Sequence, residues 1–392
     1  MDARAWRIAA VIGAGLMVVG LLGFVTRPDD TDRSTAAGAD TGDRSEFDVF
    51  VDEAIAFIEA ERELTFLTRP AVSVVPDDEF VTLLDEDFAE TFDDDPEFVE
   101  QYTTIYRALG LIDPDESIDE EYRAFGSAGV LGFYDTETEE LVVREGDGLS
   151  LLTRATIVHE LVHALEDQRF ELFRPEYDDR TDELPWTFSA VVEGSASHIE
   201  STWVSALSAD DQQALELEEL SFGDDSMFDE FSIAFLVSEL AVYWDGEEFV
   251  AAVIADEGMG AIDGLLVEPP ATSEQVLRPE LWPDEAPLEV AVPSVDGDLV
   301  YEGAGGQALI EALLTEIAPP GDIERMSNGW GGDTFVAYRD DGRSCLRWDL
   351  RADSPTDLEE LEAGLGQWVD TFGGSVAQPS GDLLRVCLLY TS

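Results

Sequence analysis

The chain has 392 residues, 45% hydrophobic and 28% charged, enough to bury one large core or two smaller ones and too apolar to be disordered throughout. Its 88 acidic side chains face 21 basic ones, all arginine, for a formal net charge of −67. Such a field disfavours nucleic acid, anionic lipid headgroups and other polyanions as partners.

Arg4 and Arg7 precede an uncharged stretch of 18 residues, Ile8 to Val25, which ends before Arg27, Asp29 and Asp30. That length just spans a bilayer, and the arginines ahead of it put the N-terminus in the cytoplasm and the body outside. Residues 1–27 are therefore predicted to be a single-pass anchor of the cell membrane, with a cleaved signal and a secreted body as the alternative. The only Ala-x-Ala pattern, Ala37-Gly38-Ala39, lies well past the apolar run, which favours the anchor. Residues 28–46, rich in Asp, Thr, Ala and Gly, read as a flexible acidic linker.

From Phe47 to Glu61 the spacing of Phe50, Val51, Ala54, Ile55 and Ile58 predicts a helix, and Ala71 to Val75 a short strand. Two acidic helices are expected near 77–92 and 96–110. Residues 129–143 read as a hairpin, with Val130, Leu131, Phe133 and Tyr134 on one arm, Leu141 to Val143 on the other, and a polar turn over Asp135 to Glu139. Helices follow at 150–168, 186–207 and 228–245, and Pro269-Pro270 ends this region. The last hundred residues predict a helix near 304–315, strands near 334–339 and 344–350, and a helix near 356–370. The expected fold is thus α+β, mainly helical, with one domain over 47–285 and a mixed α/β lobe over 286–392. Cys345 and Cys387 are too few for a disulfide framework, though outside the cytoplasm they could pair. The ending Leu388 to Ser392 resembles non-native sequence.

The chemistry concentrates on His159-Glu160-Leu161-Val162-His163. Residues four apart share a helix face, so both imidazoles can reach one ion, while Glu160 is turned by about 100° and reaches water beside the ion rather than the ion. That spacing suits one zinc per chain, with a zinc-bound water activated by Glu160 as base. The later helix offers two candidates for a third ligand, Glu193 and His198. Five residues apart, they diverge by about 140°, so one is chosen. Glu193 is favoured, because Gly194 and the small residues Ser195, Ala196 and Ser197 would let that helix approach the motif helix closely. His198 would then be catalytic, donating a proton or hydrogen bond to the developing oxyanion. Asp167 is a candidate acceptor for the outer N–H of a ligating imidazole, and Tyr243 and Arg278 are more distant candidates for oxyanion or substrate contact. Glu166 and Arg169 stand where the three-histidine metzincin pattern requires glycine and histidine, which excludes that class.

HELVHALEDQ (159–168), VEG (192–194), PPATSEQVLRP (269–279) and GWGGD (329–333) together resemble a family of largely uncharacterised exported bacterial and archaeal zinc metallopeptidases. The resemblance covers most of the chain past residue 120. It implies a gluzincin arrangement on a zincin-like core, with His159, His163 and Glu193 as zinc ligands and Glu160 as base. Two positions depart from the family pattern: Glu166, where Gln is usual, and Arg278, where His is usual. Glu274, Gln275, Trp330 and Asp333 are expected to be structural braces. The expected function is zinc-dependent hydrolysis of peptide or protein substrates outside the cytoplasm, with an extended substrate added along the hairpin. The alternative is a catalytically silent, metal-containing anchored protein that binds a surface partner.

Overall fold

The structure is a computed structural model that describes residues 45–93, 95–136, 138–145, 148–177, 180–221 and 231–389. The expected anchor, and the linker as far as residue 44, lie outside the described residues. Among the described residues, no helix is long and apolar enough to cross a membrane.

The N-terminal half is built around a small sheet and a central buried helix. Helix α1 (Glu46–Arg62) leads to strand β1 (Ala71–Val75), then α2 (Asp77–Phe92), α3 (Pro96–Leu109) and α4 (Ile118–Gly129). The hairpin β2 (Gly132–Asp135) and β3 (Glu140–Arg144) precedes α5 (Leu151–Phe170), which carries the His-Glu motif. The strands run in the order β1-β3-β2, with β1 parallel and β2 antiparallel to β3. Central β3 is covered on both faces, so Leu141, Val142 and Val143 are apolar without alternation. Leu141 and Val143 join Ile157, Val158 and Leu161 of α5, while Val142 meets Phe80 and Phe88 of α2. Where β2 starts, a Cβ added to Gly132 would lie 2.8 Å from Thr156 Cγ2, so the edge strand presses on α5 one turn before His159.

Helix α5 is buried almost all round from Leu152 to Glu166, and its buried residues include the polar Thr153, Thr156, His159, Glu160, His163 and Glu166. Ser150 caps it by accepting the Thr153 amide. Helices α6 (Leu184–Ala206), α7 (Ala209–Ser221) and α8 (Ile233–Glu257) follow, then α9 (Ala261–Val267) and α10 (Ser273–Leu277). The sequence signal missed α4, α7, α9 and α10, and α8 runs twelve residues past its expected end at residue 245.

The C-terminal unit is a five-stranded antiparallel sheet in the order β4-β5-β6-β8-β7. Its strands are β4 (Asp298–Gly303), β5 (Trp330–Asp340), β6 (Arg343–Ala352), β7 (Ser375–Ser380) and β8 (Leu383–Leu389), with helices α11 (Gly306–Leu314), α12 (Pro320–Ser327) and α13 (Pro355–Phe372). Asp341 and Gly342, at φ 51 and 79, turn β5 into β6, in the manner of a two-residue hairpin turn. This unit does not keep its core to itself. Trp330, Trp348 and Trp368 share one apolar cluster with Ile105 of α3, Phe125 of α4 and Phe235 of α8.

Strand β8 lies inside the sheet, between β6 and β7, with Leu384, Val386 and Leu388 buried. Leu388 thus continues the buried alternation of Leu384 and Val386. Both cysteines are free. The ladder sets Cys387 opposite Arg347 and Cys345 opposite Leu389, so they are offset by two positions on neighbouring strands.

Candidate metal centre

Helices α5 and α6 bring three of the expected residues to one point. Glu193 Oε2 lies 3.2 Å from His159 Nε2 and 3.3 Å from His163 Nε2. The two imidazole rings are 4.8 Å apart and nearly perpendicular, at 79°. Ligand-capable atoms of His159, Glu160 and His163 all lie within 4.8 Å of one another. All four side chains are buried.

These spacings fit a small divalent ion. Zinc holds nitrogen and oxygen ligands at about 2.0–2.1 Å, which at tetrahedral angles puts neighbouring ligand atoms about 3.3 Å apart. Unsatisfied groups point the same way. Both carboxylate oxygens of Glu160 and both ring nitrogens of His163 are buried without a hydrogen-bond partner, although His163 Nε2 stands at ion-pair distance from Glu193. Buried polar groups are seldom left so. Counting Glu200, three carboxylates surround two imidazoles, an excess of negative charge that a dication would balance.

The electrostatics of the ion-free cluster follow from this crowding. Burial pushes Glu160 up to about 7, against the pull of the two imidazoles. Burial alone would lower His159, but hydrogen bonds to Glu193 and Glu200 outweigh it and push the ring up to about 10. For Glu193 burial acts upward, and the charge of His163 with the hydrogen bonds from both imidazoles holds it below the usual carboxylate range.

Three expectations are corrected. His198 is not brought to the cluster: its ring is partly buried, which lowers its pKa, and the charge acting on it is that of Glu61 on α1. The 140° divergence along α6 that separates it from Glu193 turns it toward a different helix. Asp167 does not hold an imidazole; it accepts from the Tyr134 hydroxyl at 3.0 Å and from the Leu172 amide at 2.9 Å. Gly194 does not serve the approach to the motif helix. A Cβ there would overlap the Gly246 carbonyl and lie 2.8 Å from the Glu247 amide nitrogen, so Gly194 sets the crossing of α6 on α8. Ser195 faces the motif helix instead, donating to Glu166 Oε1 at 2.6 Å.

The outer partner of His159 is Glu200, whose Oε2 lies 3.2 Å from Nδ1. Glu200 was legible in principle, because it stands seven residues, two turns, past Glu193 on the same face. Glu166 belongs to a buried ion pair with Arg62 of α1 at 2.8 Å, both side chains fully buried, and Arg62 also reaches Asp263 of α9 at 3.1 Å. Tyr243 of α8 packs its ring 6.1 Å from that of His159. Arg278 is engaged by Glu274 at 3.1 Å and Glu280 at 3.6 Å.

The remaining motif residues act as braces. Asp333 accepts the Gly305 and Gly306 amides at 2.7 and 2.8 Å and the Trp330 indole at 2.8 Å, fastening the start of α11. Gln275 accepts the Ala271 amide at 2.7 Å and donates to the Glu285 carbonyl at 2.8 Å.

Fold and site together define an α+β, mainly helical protein with a buried histidine–carboxylate cluster between two long helices. Residues 298–386 match a family model described as a domain of unknown function (DUF8575). That match covers most of the five-stranded sheet with its helices and none of the cluster residues. No curated protein and no solved structure matches the chain.

Proposed function

We propose that the protein is a zinc-dependent peptidase that works outside the cytoplasm, with His159, His163 and Glu193 holding the metal on a zincin-like core. The observation that carries this is the convergence of Glu193 Oε2 on two imidazole nitrogens at 3.2 and 3.3 Å. Zinc bound there supplies Lewis acidity, polarising a scissile carbonyl and acidifying a neighbouring water. Glu160 takes the proton from water as its oxygen attacks the carbonyl carbon, then returns it to the amine nitrogen as the C–N bond breaks. Its carboxylate is suited to this because no other group claims it. Glu200 fixes the ring of His159 through Nδ1, leaving Nε2 turned to Glu193, the usual office of an outer carboxylate. Strand β2 is the sheet edge beside α5, and an extended peptide would add along it as a further strand. The charge pattern flanking Ile8 to Val25 supports a membrane-anchored body outside the cytoplasm.

The test is metal content and base replacement on the purified chain. It should hold close to one zinc per chain and cleave peptides only when loaded. Glu160→Gln should abolish cleavage and keep the zinc. A chain that takes up no zinc in titration, or a Glu160→Gln variant that still cleaves, overturns the proposal.

A further inference from the structure

A second constellation lies one helical turn from the metal centre. Glu239 stands four residues before Tyr243 on α8, so the two side chains share a face about 6 Å apart along the axis, and Tyr243 is the ring that packs on His159. Tyrosines from two other helices meet Glu239. Tyr106 of α3 donates to Oε1 at 2.9 Å and Tyr122 of α4 to Oε2 at 2.7 Å, with their own oxygens 3.3 Å apart. Tyr102 and Tyr301 extend the aromatic wall, the Tyr102 ring lying 6.4 Å from Tyr106 and 6.1 Å from Tyr301.

Glu239, Tyr102, Tyr106, Tyr122 and Tyr301 all keep part of their surface open, whereas Phe235 beneath them is fully buried. Their open parts therefore surround Glu239 above an apolar floor. Burial raises the pKa of Glu239 against the hydroxyls of Tyr122, Tyr106 and Ser238, and among the described residues no arginine or histidine is one of the groups that favour its charged form. A carboxylate offers about four lone-pair sites; the two tyrosines take one on each oxygen, Ser238 Oγ reaches Oε1 at 3.4 Å, and one on Oε2 is left. A desolvated carboxylate without a cationic partner is costly to keep, and tyrosine faces attract cations.

We propose that this cluster forms a recess that receives an organic cation of the substrate, an ammonium or guanidinium group borne by the peptide close to its scissile bond. The inference rests on the peptidase reading and gives it a substrate class: peptides with a basic group beside the cut. Glu239 pairs with the cation, the tyrosine hydroxyls hold the carboxylate in place, and the rings cover the cation's alkyl stem.

The test is calorimetric binding to the full chain of four small probes that contain no peptide bond. Butylguanidine stands for an arginine side chain, butylamine for lysine, alaninol for a chain amino terminus, and butylurea is the neutral isostere of the first. At least one cation should bind saturably and about tenfold or more tighter than butylurea, as expected for hydrogen bonds to a charged group; which one binds best identifies the source. Glu239→Gln should erase that preference, although it removes only one of 88 acidic side chains and leaves the diffuse attraction of the protein intact. If that variant fails to fold, Tyr122→Phe should lower the preference severalfold while butylurea binding is unchanged. A preference that survives both substitutions, or no saturable binding by any cation, overturns the proposal. Because the probes cannot be cleaved, loss of binding with retained peptide hydrolysis condemns the recess alone, and retained binding in a chain that never cleaves condemns the peptidase reading alone.

Discussion

Replacing Gly194 by alanine should loosen both the helix packing and the grip on metal. A Cβ at this position would overlap the carbonyl carbon and oxygen of Gly246 and come within 2.8 Å of the Glu247 amide nitrogen. Ordinary contact needs about 3.5–4.0 Å, and because all three atoms are backbone, α6 and α8 must part by about 1 Å. Over-packing of this kind costs about 3 kcal/mol at the upper end of its usual range, while the gain in helix propensity returns about 1 kcal/mol. The net loss is therefore about 2 kcal/mol. Glu193 is the preceding residue, so the same shift opens its spacings of 3.2 and 3.3 Å to the two imidazoles, and zinc affinity should fall by about tenfold or more, as when a supporting contact is lost. Denaturant midpoints and chelator competition measure the two effects. Gly264→Ala is the control, since it lies within α9 with nothing within 4 Å of the added atom and should gain about 1 kcal/mol. A Gly194→Ala variant as stable as that control, with unchanged zinc affinity, would refute the reasoning.

Arg62→Met should cost about 3–5 kcal/mol, because it leaves the fully buried Glu166 without its cation. Adding Glu166→Gln should recover much of that loss, and a neutral single variant in denaturant titration would show that the pair does not tie α1 to α5. Glu200→Gln should weaken zinc binding by about 10–100-fold with the circular dichroism unchanged; an equal loss from Asp167→Asn would contradict the assignment of Glu200 as the partner of His159. The metal-free chain should lose stability as pH rises from about 5 to 8. Burial pushes Glu121 and Glu160 up to about 7 and Glu183, Glu219 and Glu274 up to about 8. Unfolding releases them to ordinary values, so between these limits the folded chain binds more protons than the unfolded one and stability falls with pH. Thermal melts at graded pH that rise across this window would refute the assignment.

Elements with a strong period or strong ends were legible in the sequence. Strand β1 was expected at Ala71–Val75 and is found there, and α1 differs from its expected span of 47–61 by one residue at each end. Helix α4 was missed because its apolar residues are few and its cohesion comes from tertiary contact, Phe125 meeting Phe231 and Phe235 edge-on. Strands β7 and β8 were missed for a different reason. The register of β8 is set by pairing with β6, some forty residues away in the chain, and β7 pairs in turn with β8; a short run such as Leu383–Leu389 has no local signal that separates a strand from a coil.

The site divides along the same line. His159, Glu160 and His163 are fixed by helical spacing alone; the angle between Glu193 and His198 on one helix only requires a choice, and Glu193 is chosen for the small residues that follow it. What could not be read was which neighbour each face of α6 would meet. One side of that helix turns Glu193 and Glu200 to His159, Ser195 reaches Glu166 of α5, and Gly194 admits the backbone of α8. A run of small residues tells that something approaches closely, but not which partner, because glycine and serine leave no chemical mark of what they accommodate. The approach of α8 is also what brings Tyr243 beside His159, with Glu239 one turn earlier on the same helix. A substitution at Gly194 therefore reaches the candidate metal centre and the proposed cation-binding recess through a single helix crossing, and its effects on zinc affinity and on probe binding should move together.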